Sequence, residues 1–160
     1  MKNITGTANL TQPPAQIIEG SPVLAYLGVD NQLKLGISAL LSNDPVPAWA
    51  LSFLCSHSLE CLLKAFIKSR EPEIDLTRYK IRHSIEALWE IACKIGLDVE
   101  IPQWALTLSN LHQTPYHLRY ATSINGLVLP NINLMTEELD LLRIFIHENI
   151  AHQNQLPAPT

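Results

Sequence analysis

The sequence predicts an all-α fold, an antiparallel bundle of about five helices with a small β-hairpin inserted before the last helix. Apolar residues recur at three- and four-residue spacings over most of the chain, which is the helical period. Asp30, Ser84, Gly96 and Pro102 punctuate those stretches as starts or stops. The Asn125-Gly126 pair, set between Ile124 and Leu127, supplies the two positive φ values of a type I′ hairpin turn.

Residues 1–21 are rich in Thr, Asn, Gln and Pro without periodicity and read as a flexible N-terminal arm. PVLAYLG (22–28) can pack as a short helix. Asp30 is expected to cap a helix over 31–42, where Leu33, Ile37, Leu40 and Leu41 share one face. The turn NDPVP (43–47) stops it, and the longest helix follows from Ala48 to about Ser69. EPEIDLTRYKIRH (71–83) is a polar connection. Ser84 caps a third helix with the stripe Ile85, Leu88, Trp89 and Ala92, and Gly96 ends it near C′. Pro102 suits the first turn of a fourth helix over 102–113. The hairpin spans about 120–129. Thr136 then caps the last helix, with Glu137, Glu138 and Asp140 in a first turn that favours negative charge. Leu139, Leu142, Ile146 and Ile150 form its apolar positions, and residues 154–160 are a flexible tail. One domain over 22–153 accounts for the rest, without internal repeats.

The composition is globular, with 47% apolar and 16% charged residues. A net charge of −4 gives no overall attraction to nucleic acid, so any such contact needs a local basic patch. Cys55, Cys61 and Cys93 form no Cys-x-x-Cys pair and sit in apolar helical stretches, which predicts buried free thiols in a reducing compartment. No apolar run approaches a bilayer span and the start lacks a signal-peptide apolar region, so a cytoplasmic protein without membrane contact is expected.

HENIAHQ (147–153) nearly spells the zinc-protease pattern, but His147 and His152 are five apart. That places them about 140° apart around a helix, too far for one zinc ion to take both. Gly-x-Ser-x-Gly, P-loop and dinucleotide motifs do not occur. No metal and no cofactor are expected. Six of the eleven Lys and Arg residues fall within 64–82 (Lys64, Lys68, Arg78, Lys80, Arg82 and Arg70), with His83 following and Glu71, Glu73 and Asp75 among them. This is either a solvated connector or a local patch for phosphate or RNA. Arg143 and His147 are four apart on one helix face, as a surface ladder with Asp140 or as an Arg/His pair for RNA cleavage. Within SHSLECLLKAFIK (56–68), His57, Glu60, Cys61, Lys64 and Lys68 fall in one arc of about 100°. Leu59, Leu62, Leu63 and Phe66 lie opposite, so the segment reads as a helix with a wet, charged face.

SLECLLKAFIK in a long helix, then a polar link, then HSIEAL (83–88) opening the next helix, and YHLRYA (116–121) before the last one together resemble the HEPN superfamily. The resemblance covers about residues 48–152. It implies an antiparallel helical bundle, often a homodimer. Some members are metal-independent endoribonucleases, commonly toxins paired with a nucleotidyltransferase-type antitoxin; others are inactive accessories that bind RNA, nucleotides or proteins. Active members carry an Arg and a His separated by four to six residues at the last major helices, whereas three residues separate Arg143 from His147. The expectation is therefore a homodimeric, non-catalytic accessory that binds RNA, a nucleotide or a partner through Lys64, Lys68, Arg78, Arg82, His83, Arg119 and Tyr120. The alternatives are an endoribonuclease using Arg143 and His147, and an interaction module that docks a partner through the 120–129 hairpin.

Overall fold

The structure is a computed structural model, and it describes residues 20–112, 116–119 and 128–153. It consists of α1 (Pro22–Leu41), α2 (Ala48–Arg70), α3 (Ile85–Lys94), α4 (Gln103–His112) and α5 (Ile132–Gln153), with no strand among the described residues. The helical prediction thus holds. Residues 120–127 of the expected hairpin lie outside the described residues, and Val128 and Leu129 carry no strand pairing.

α2 is the hub. It packs against α1, α3, α4 and α5, and every residue from Ser58 to Ile67 is buried. This corrects the reading of a helix with a wet face, because Glu60, Cys61 and Lys64 of that stripe are buried, and His57 and Lys68 at its ends are half-buried. By length and composition α2 is also apolar enough to cross a membrane (mean hydropathy 1.4), contrary to the expectation of no such run. Here 78% of its apolar window is buried inside the fold. A helix buried all round needs partners for each polar side chain it carries.

Two helix boundaries differ from expectation. α1 runs unbroken from Pro22, so Asp30 lies in its middle and caps nothing; its carboxylate is fully buried. Pro at the start of α1 fixes a helical φ where no intrahelical N–H is needed. α5 begins at Ile132, one turn before Thr136. Asn131 caps it by accepting from the Leu134 N–H at 3.1 Å, while the Thr136 hydroxyl donates back to the Ile132 carbonyl at 2.9 Å.

α3 follows its sequence signals closely. The Ser84 hydroxyl accepts from the Ala87 N–H at 3.2 Å. At the other end Gly96 has φ +106°, the Gly96 N–H donates to Cys93 O, and the Leu97 N–H donates to Ala92 O. Those two bonds make a Schellman cap, which a left-handed glycine permits. Cys55 and Cys61 are buried free thiols as expected; Cys93 is a correction, since it lies on the exposed side of α3.

Candidate functional site: a buried Glu–Lys–His cluster beside a basic connector

The most concentrated chemistry lies where α2, the start of α3 and the end of α4 meet. Ser84 caps α3, and the buried Ser109 hydroxyl of α4 accepts from the Glu86 N–H at 3.3 Å, so the residue before the cap, His83, is held against α2. His112, the last residue of α4, enters from the other side. The two imidazoles meet edge to face with centroids 6.2 Å apart, and Glu60 of α2 bridges them. His112 Nε2 lies 2.7 Å from Glu60 Oε2, and His83 Nδ1 lies 3.2 Å from Oε1. Lys64, one turn along α2, donates to Oε1 at 2.6 Å and has the Tyr26 ring 5.8 Å away. Ser56, one turn before Glu60, stands 3.1 Å from His112 Nδ1.

Burial alone would raise the Glu60 carboxyl pKa. The hydrogen bonds from His112 and Lys64, with their charges, outweigh it and hold the group down at about 2. Burial pushes His57 below its ordinary value, with His112, Arg119 and Lys64 acting in the same direction against the Glu60 carboxylate. Burial drives Cys55 and Cys61 up to about 12, so neither is a thiolate nucleophile at neutral pH. The Ser56–His112–Glu60 order has the residue types of a hydrolase triad, but Ser56 is fully buried and out of reach of a substrate carbonyl.

A second buried cluster joins α1, α2 and α5. Arg143 Nε donates to Asp30 Oδ2 at 2.8 Å, and Nη2 donates to Asp30 Oδ1 at 3.2 Å and to Ser58 Oγ at 2.9 Å. Ser58 donates in turn to Asp30, and Asp140 takes the remaining Nη1 of Arg143.

The residues singled out from the sequence separate accordingly. Lys64 and His83 come together on Glu60. Lys68 is half-buried and donates to the Pro72 carbonyl at 2.5 Å, fastening the connector to α2. Arg78 is exposed beside Asp75 at 3.7 Å, and Arg82 is exposed over the Tyr79 ring. Arg119 is exposed in the turn 116–119, which is tied down by Trp49 Nε1 donating to Leu118 O and Leu118 N–H donating to Leu111 O. Tyr120 lies outside the described residues. Arg143 and His147 share α5, with the Arg143 guanidinium turned into the junction with α1 and α2. His147 Nε2 is buried without a hydrogen-bond partner among the described residues.

Comparison of the chain with protein-family models, with curated proteins and with solved structures gives no match. Sequence reasoning missed His112, Ser56 and Asp30 as members of these clusters. Glu60 and His112 are 52 residues apart and Asp30 and Arg143 are 113 apart, separations that no local spacing connects. One signal was present: charges inside the longest, most apolar helix belong in a paired interior as readily as on a surface.

Proposed function

We propose that this protein is a HEPN-like antiparallel bundle that acts as a homodimer and binds RNA or a nucleotide phosphate without cleaving it. The binding face is the connector 71–83 together with Arg119. The observation that carries this reading is how the cations divide. Arg143, the arginine a ribonuclease would need, has its guanidinium taken up by Asp30, Ser58 and Asp140. Arg82 and Arg119, by contrast, stand in water, and among the described residues neither has an acidic partner. The connector lines a groove of about 600 Å³ with Arg78, Lys80, Ile81 and Tyr79, which is 76% exposed. Glu73 and Asp75 border the same groove, so the reading assigns the phosphate contacts to Arg82 and Arg119 outside its lining, and Tyr79 offers a stacking face. Pairing of two chains is supported by Leu134, Leu141 and Ile144, which are exposed along one side of α5.

Fluorescence anisotropy with a labelled single-stranded RNA tests the face. Arg82→Ala with Arg119→Ala should weaken binding about tenfold or more, because two phosphate contacts are lost. Unchanged affinity in the folded double variant rejects this surface.

A further inference from the structure

Glu60, His83 and His112 bring one ligand atom each to a common point, and those atoms lie within 4.8 Å of one another. Two imidazoles and one carboxylate form a donor set that suits zinc, and a three-residue set leaves one coordination position open. Tetrahedral zinc with bonds of about 2.0–2.1 Å separates its ligand atoms by about 3.4 Å. His83 Nδ1 is already 3.2 and 3.3 Å from the two Glu60 oxygens. The His112 Nε2 to Oε2 distance of 2.7 Å needs only a small opening.

Hydrogen bonding around His112 suits a ligand role. Ser56 Oγ lies 2.8 Å from the Phe53 carbonyl oxygen and 3.1 Å from His112 Nδ1. When Ser56 donates to Phe53, its oxygen accepts from His112 Nδ1–H and the Nε2 lone pair faces Glu60 Oε2, where an ion can sit between them. Fixing one ring nitrogen by a hydrogen bond so that the other faces the ion is the usual support of a histidine ligand. Lys64 occupies Oε1 and leaves Oε2 for coordination. The His83 side chain is 35% exposed, which opens the cluster to solvent on that side.

We propose that Glu60, His83 and His112 hold a divalent transition-metal ion, zinc foremost, with Ser56 positioning His112 as a ligand. The site stands apart from the RNA-binding reading and does not depend on it. The test is titration of the metal-free full chain with Zn²⁺ alone by calorimetry, and with Co²⁺ by visible absorption. One equivalent should bind, and cobalt should give the intense visible bands of a four-coordinate site. His83→Ala, on the rim of the cluster, should weaken binding by more than about tenfold, and Ser56→Ala by roughly tenfold to a hundredfold although it keeps all three ligands. Circular dichroism checks that each variant is folded, and His83→Gln replaces the alanine variant if that one is not. No binding by folded wild-type protein overturns the proposal and leaves His112 as a hydrogen-bond partner of Glu60. Binding that is unchanged in the His83 variant overturns it equally, by placing the ion elsewhere, such as at the exposed Cys93.

Discussion

Asp30 shows how far a residue's role can depart from its local signal. In the chain it stands where a helix cap is expected; in the fold it is the buried counter-charge of Arg143. Breaking a buried, hydrogen-bonded pair strands the surviving charge, whereas replacing both members by apolar groups removes that penalty. Asp30→Leu or Arg143→Met alone should each destabilise the fold by about 3–5 kcal/mol in urea unfolding. The double variant should lose less than either, and additive losses would contradict the coupling. Glu60 makes a pH prediction of definite sign. Its folded pKa is depressed from 4.5 to about 2, so its contribution is complete above 4.5 and disappears as the pH falls toward 2. In EDTA, wild-type stability should fall more steeply with acid than that of Glu60→Gln, which starts lower at neutral pH. Parallel profiles would show that Glu60 is not held charged by its partners.

At the scale of elements, what could be read in the sequence was what local chemistry decides. The Ser84 cap, the glycine after α3 and the start of α2 at Ala48 all follow from residues within a turn of the boundary. The covering of α2 on every side is a tertiary fact, and the i, i+4 spacing of Glu60 and Lys64 fits a surface pair and a buried pair equally well. The same holds for the contact between α1 and α2. Gly36 faces Leu54, whose Cδ1 would stand 3.0 Å from an added Cβ. Gly36→Val should therefore cost about 1–3 kcal/mol through overpacking, despite its gain in helix propensity over glycine. In a Leu54→Ala background the cost should shrink, and an equal cost in both backgrounds would show that the two helices do not meet there.

For the whole molecule, the buried charges are spent inside, and apolar residues are left outside on α1 (Leu24, Val29, Leu35 and Leu41) and along one side of α5 (Leu134, Leu141 and Ile144). Leu141, 66% exposed, also borders a groove of about 380 Å³ formed with Trp89, Trp104 and Phe145. If this side joins two chains, light scattering should give twice the chain mass for the wild type and a monomer for Leu141→Glu; a monomeric wild type would remove the dimer. Function itself was the least legible level. The basic run was visible in the sequence, but only packing separates Lys64, buried and committed to Glu60, from Arg82, which is exposed over the Tyr79 ring. The most direct measurement incubates labelled RNA with the pure protein in EDTA, following anisotropy and RNA length across a salt series. The account predicts intact RNA and an affinity that falls steeply as salt rises, because each neutralised phosphate releases counterions. Cleaved RNA whose cutting stops in His147→Ala, or binding indifferent to salt, would contradict it.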